Sequence, residues 1–124
     1  MRALVVDDSR TVRIIIGNVL RELGIEVTEA ADGVEALARI EQDPDLDLVL
    51  LDWNMPRMNG YDLLRAVRAR KDLGRPRVLM VTSESQADQV AKALSAGADE
   101  YLMKPFNKEV LIAKLRLMDA VPEE

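Results

Sequence analysis

The chain has 124 residues, 48% of them apolar, with 17 basic and 22 acidic side chains and a net charge of −5; that length buries the core of one domain, residues 1–124, without metal or disulfide staples. It holds no cysteine and no histidine, which removes disulfides, thiolate chemistry, His-based triads, imidazole metal sites and any phosphohistidine on this chain. The acidic balance disfavours a nucleic-acid surface, and with no run of about 18 apolar residues and no charged-then-apolar leader, a cytoplasmic protein without a membrane span is expected.

Ala3 to Val6 reads as a short strand ending in Asp7-Asp8, with Ser9 as the N-cap of a helix. Val12, Ile15, Ile16, Val19, Leu20 and Leu23 recur at the spacing of one helical face, and Gly24 supplies a left-handed stop. Ile25 to Ala30 is a second strand, and Asp32-Gly33 turns into a helix carrying Val34, Leu37, Ala38 and Ile40, closed by Pro44. Leu48 to Leu51 has no alternation, as a strand buried on both faces requires, and Asp52 then opens a loop that Pro56 and Asn59-Gly60 turn. A helix with Leu63, Leu64 and Val67 runs into the charged segment Arg68 to Arg77. Val78 to Val81 is a fourth strand followed by Thr82 and Ser83; Gln86 to Ala96 is an alanine-rich helix stopped by Gly97. Tyr101 to Met103 is a fifth strand ended by Lys104-Pro105, and the last helix starts near Asn107, burying Leu111, Leu115 and Met118. Strand and helix alternate throughout, the pattern of a parallel sheet with helices on both faces.

All carboxyl ends of parallel strands share one edge, so Asp7-Asp8, Asp52, Thr82 and Lys104 converge. Each alone has an ordinary structural role as cap, strand-end hydroxyl or solvated charge. Together they form a charge problem, because two carboxylates about 4 Å apart repel by about 4 kcal/mol at an effective dielectric of about 20. Asp7, Asp8 and Asp52 against Lys104 leave −2, which a hard divalent ion neutralises; an all-oxygen site suits Mg²⁺, with Mn²⁺ as a substitute, over zinc or copper. Attack by the Asp52 carboxylate on a phosphoryl donor is the chemistry that fits, with Lys104 and the Thr82 hydroxyl on the other phosphoryl oxygens.

These residues, in V-V-D-D-S (5–9), A-D-G-V-E-A-L (31–37), D-W-N-M-P-R-M-N-G (52–60), L-M-V-T-S-E (79–84) and A-G-A-D-E-Y-L-M-K-P-F (96–106), resemble the receiver domain of two-component response regulators, most closely the single-domain CheY-like chemotaxis type. The resemblance implies a five-stranded parallel sheet of order 2-1-3-4-5 flanked by five helices. It implies that Asp52 is the phosphoacceptor, Asp8 a direct magnesium ligand, Asp7 a ligand largely through water, and Asn54 a ligand through its backbone carbonyl. Thr82, Lys104 and Tyr101 match the switch hydroxyl, phosphate-contacting lysine and switch aromatic, and Lys104-Pro105 matches a cis peptide. Asn54 and Glu84 match positions that tune dephosphorylation, and their polar side chains leave a water its path to the phosphorus. Trp53 reads equally as a matched residue of the site motif or as surface cover beside it.

The implied partners are a sensor histidine kinase or histidine phosphotransfer protein, a phosphatase, and an output protein on the face of the fourth helix, fifth strand and fifth helix. With the chain ending soon after its last helix, no output domain is expected within it, unless it is cut from a longer regulator. On this reading the protein is a phosphorylation-dependent switch, self-phosphorylating and self-dephosphorylating but not a turnover enzyme. A haloacid-dehalogenase-like phosphatase shares the aspartate nucleophile yet needs a second Asp where Asn54 stands. A flavodoxin-like carrier needs a hydroxyl-rich phosphate loop where Asp7-Asp8 would repel it. An inactive receiver-like interaction module is the remaining alternative.

Overall fold

Five parallel strands form the sheet, β1 (Arg2–Val6), β2 (Glu26–Ala30), β3 (Leu48–Asp52), β4 (Arg77–Ser83) and β5 (Glu100–Lys104), in the order β2-β1-β3-β4-β5. A computed structural model describes residues 1–83 and 88–120. Between and after the strands lie α1 (Arg10–Glu22), α2 (Gly33–Gln42), α3 (Gly60–Ala69), α4 (Val90–Ser95) and α5 (Lys108–Leu117).

The unbroken apolar runs feed two cores. Ala3 and Val5 of β1, Leu48 and Leu50 of β3, and Leu79 and Val81 of β4 face Ile16 and Leu20 of α1 and Leu111 and Leu115 of α5. Their neighbours Leu4, Val6, Val49, Leu51, Val78 and Met80 pack instead on Ala36, Ile40, Leu63, Leu64, Val67 and Ala93 from the other three helices. Strand side chains alternate faces, so a strand covered on both sides must be apolar at every position. Each fully buried Leu contributes about 1.5–3 kcal/mol of transfer free energy.

Helix starts follow local chemistry. The side chains of Ser9, Asp32, Asn59 and Asn107 accept hydrogen bonds from the backbone N–H groups of Val12, Glu35, Asp62 and Val110; each such cap is worth about 1 kcal/mol. Gly24 ends α1 with φ +80°, as the sequence leads one to expect.

Several local expectations need correction. Ile15 lies on the predicted apolar face of α1 but is 54% exposed, while Ile16, Val19 and Leu20 carry the burial; it sits at the edge of a stripe too narrow to cover it. Val34 and Ala38 likewise face out of α2, and Ala36 and Ile40 face in. The charged stretch after α3 includes a 3-10 turn at Lys71–Leu73. α4 is shorter than expected, beginning at Val90 after a turn at 88–89; its expected start at Gln86 lies outside the described residues, as do residues 121–124.

Candidate functional site at the carboxyl edge of the sheet

Strand register builds the site. Val6 pairs with Leu51, Asp52 with Val81 and Ser83 with Lys104, so the ends of β1, β3, β4 and β5 stand side by side. Asp52 is the last residue of β3 and only 6% exposed, more enclosed than the loop position the sequence suggested. Thr82 and Lys104 also lie within their strands, because β4 and β5 run on to Ser83 and Lys104.

Asp7 follows β1 and is buried; its backbone N–H continues the ladder to the Ala30 carbonyl at 3.2 Å. The Ser9 N–H donates to Asp7 Oδ1 at 2.9 Å, and Lys104 Nζ donates to Asp7 Oδ2 at 3.0 Å and to Asp52 Oδ1 at 3.4 Å. The lysine expected on a phosphoryl group thus bridges two carboxylates across the crevice. Carboxylate oxygens of Asp7, Asp8 and Asp52 lie within 4.8 Å of one another, with Asp8 exposed at the mouth.

Burial, and then the charge of Asp7, push the Asp52 carboxyl up to about 6, against the opposing pull of Lys104. Burial works against the Lys104 charge too, but its hydrogen bond to Asp7 and the charge of Asp52 outweigh it and hold the ammonium above the usual lysine range. The cluster therefore has more negative charge than one ammonium stabilises. Hard oxygen donors and surplus negative charge fit a divalent cation, so this cluster could bind a metal.

Thr82 is fully buried, one residue beyond the partner of Asp52, and its Oγ1 has no hydrogen-bond partner among the described residues. A buried hydroxyl left unpaired costs about 1–3 kcal/mol, the expected state of a group whose partner arrives later. Tyr101 stands apart on β5, half-buried, with Lys114 Nζ 4.0 Å from its ring centroid. Asn54 is exposed on the loop after β3, the Lys104-Pro105 peptide is cis, and Glu84 lies outside the described residues.

Trp53 is not surface cover: it is 6% exposed and stacks on Tyr61 with centroids 5.2 Å apart. Gly60 meets β3 so closely that a Cβ there would lie 2.2 Å from the Asp52 carbonyl oxygen. Sequence reading missed Arg13, which donates to the Asp7 carbonyl at 2.7 Å and to Glu29 at 2.9 Å, fixing the loop that presents Asp7 and Asp8. Its only trace in sequence is a cation one turn into a helix that follows an acidic pair.

The family description "Response regulator receiver domain" matches residues 3–116. The chain is 48% identical over 116 residues to the chemotaxis protein CheY of Pseudomonas aeruginosa, covering 93% of each. It is 44% identical over 119 residues to the chemotaxis protein CheY1 of Helicobacter pylori, covering 95% of this chain and 96% of that one. Among solved structures, the chemotaxis response regulator CheY4 of Vibrio cholerae superimposes with a TM-score of 0.85 at 37% identity, covering 94% of this chain and 97% of that one.

Proposed function

Because the chain belongs to the response regulator receiver family and is a phosphorylation-dependent signalling switch, we propose that Asp52 is its phosphoacceptor. The carrying observation is a buried, charge-strained carboxylate at a strand end, bridged by Lys104 to Asp7. An Asp52 oxygen attacks phosphorus in line, the bond to the donor nitrogen or oxygen breaks, and the donor leaves with the bonding pair, giving an aspartyl phosphate. When bound, Mg²⁺, or Mn²⁺ in its place, would be held by Asp7, Asp8, Asp52 and the Asn54 carbonyl, and would supply charge neutralisation for the incoming phosphoryl group. Lys104 transfers one of its hydrogen bonds to a phosphoryl oxygen, and the unpaired Thr82 hydroxyl donates to another. Movement of Thr82 then frees space toward which Tyr101 turns, giving the two states a differential contact.

The whole chain, residues 1–124, acts as one cytoplasmic receiver domain. No helix among the described residues is long and apolar enough to cross a membrane. Family membership implies a histidine kinase and a downstream effector; a histidine phosphotransfer protein is the alternative donor, and a phosphatase shortens the signal. Val12, Ile15, Pro105 and Phe106 make an apolar surface beside Lys104, and the exposed Ile15 suits docking of a helical donor there. The output protein binds α4, β5 and α5, where Leu94 and Val110 are exposed and Tyr101 sits under Lys114. Asn54, and by family resemblance Glu84, set the lifetime of the phosphoryl state. The protein turns over its own phosphoryl group and no external substrate.

Intact-mass measurement after incubation with a small acyl phosphate tests the assignment. One added phosphoryl group is expected with Mg²⁺, and none with chelator or in Asp52→Asn. Equal labelling of Asp52→Asn would overturn it.

A further inference from the structure

Residues 53–59 form the loop that carries Asn54, and it is held on two sides. Its two ends are drawn together where the Gly60 N–H donates to the Trp53 carbonyl at 2.9 Å. Its middle is tied to the start of α2 instead. The Gly33 N–H donates to the Met58 carbonyl at 3.2 Å, and a Cβ on Gly33 would lie 2.4 Å from that oxygen. Beside this contact Arg57 adopts φ +66°, a left-handed conformation that L side chains rarely take.

Such a backbone persists only where its surroundings over-determine it. Arg57 donates through Nε at 2.9 Å and through Nη2 at 2.7 Å to one carboxylate oxygen, Oδ2 of Asp32. Asp32 is itself 8% exposed, and its other oxygen accepts from the Glu35 N–H at 2.8 Å as the cap of α2. The Glu35 N–H, with Arg57 adding to it, holds this carboxyl below its usual range, so it is ionised when Arg57 docks. The Arg57 side chain is 59% exposed, and solvent screening limits what the charges alone contribute. The pair is distinguished by its anchor, a buried carboxylate already fixed to a helix end, and by the strained backbone it holds.

We propose that the Arg57–Asp32 ion pair is a positioning device for the phosphorylation site, fixing the 53–59 loop so that the Asn54 carbonyl stands ready, with Asp7, Asp8 and Asp52, for a divalent cation. It rests on the reading of Asp52 as a magnesium-dependent phosphoacceptor. Loss of the ion pair unties the loop from the start of α2 three positions from Asn54, loosening one ligand while the three carboxylates stay in place.

The test is titration of the full chain with Mg²⁺, followed by Trp53 fluorescence, in two variants that each remove one half of the pair. Arg57→Asn tolerates the left-handed backbone but has no guanidinium; Asp32→Ser keeps a capping oxygen but has no carboxylate. Each is expected to raise the Mg²⁺ dissociation constant by about three- to tenfold, at or just below the roughly tenfold minimum for losing a direct supporting partner of a metal ligand, because this pair acts on the ligand through the loop. The double variant is expected to be no worse than the weaker single, because the two residues act as one unit. Arg57→Gly, strain-free at this φ, must agree with Arg57→Asn, and it substitutes if that variant fails to fold. Unchanged Mg²⁺ affinity with a lowered urea midpoint would make the pair merely structural and overturn the proposal, as would additive losses in the double variant. If the wild-type chain neither responds to Mg²⁺ nor accepts a phosphoryl group, the Asp52 reading fails and the proposal with it; if the wild type does both and the variants match it, the positioning role alone fails.

Discussion

Replacing Asp52 with Asn should make the metal-free protein more stable. The Asp52 carboxyl is raised from 3.8 to about 6 by burial and by Asp7, so the folded state binds a proton more tightly than the unfolded chain. Stability conferred by the protonated group is present below about pH 4, falls as pH rises toward 6, and is gone above it. At about 1.36 kcal/mol per pH unit, the ionised side chain costs the apo fold on the order of 3 kcal/mol at neutral pH. Asn keeps the shape without the charge, and the raised value already includes the opposing pull of the Lys104 ammonium 3.4 Å away, so a gain of about 3 kcal/mol is the working figure. At about 4 °C per kcal/mol, that is a rise in Tm of about 12 °C. Urea unfolding followed by Trp53, the sole tryptophan, reads it out in chelator at pH 7.5 and pH 4. The gain should be full at pH 7.5 and nearly absent at pH 4, and added Mg²⁺ should stabilise the wild type and not the variant. A variant no more stable than wild type at pH 7.5 would refute the reasoning.

Thr82→Val removes a buried, unpaired hydroxyl at nearly constant volume; the apo protein should be as stable or more stable by about 1 kcal/mol, while the phosphorylation-dependent NMR shift at Tyr101 disappears. A retained shift would place the coupling elsewhere. Asn54→Leu should slow loss of the phosphoryl group after the donor is removed, because an apolar side chain there excludes the attacking water; phosphate release measured over time gives the rate, and an unchanged rate would count against a role for Asn54.

The sheet was legible in the sequence because burial on both faces leaves an unbroken apolar run, as at Leu48 to Leu51, and because a parallel sheet gathers the ends of its strands. That alone brought Asp7, Asp8, Asp52 and Lys104 together across most of the chain. Strand order was not legible from periodicity, which reports faces and not neighbours, and entered through the family resemblance. Ile15 was misplaced because spacing defines a stripe but not how far a neighbouring helix covers it. The surface-cover reading of Trp53 failed for a similar reason: its own cover is Tyr61, eight positions on, whose ring stacks back over it. The Lys104 bridge and the Arg57–Asp32 pair were invisible because each joins residues from separate elements through side-chain reach. Arg57 in particular reads as one more loop cation until its backbone angle is seen.

The most direct test of the central claim is chemical trapping of the acyl phosphate. The wild-type chain, treated with a small acyl phosphate and Mg²⁺, is reduced with borohydride, which converts an aspartyl phosphate to a stable alcohol, then digested and sequenced by tandem mass spectrometry. The reduced residue is expected at Asp52 alone; a reduced residue at Asp7 or Asp8 with Asp52 intact, or none in a sample that carries the phosphoryl mass, would contradict the assignment of Asp52 as phosphoacceptor.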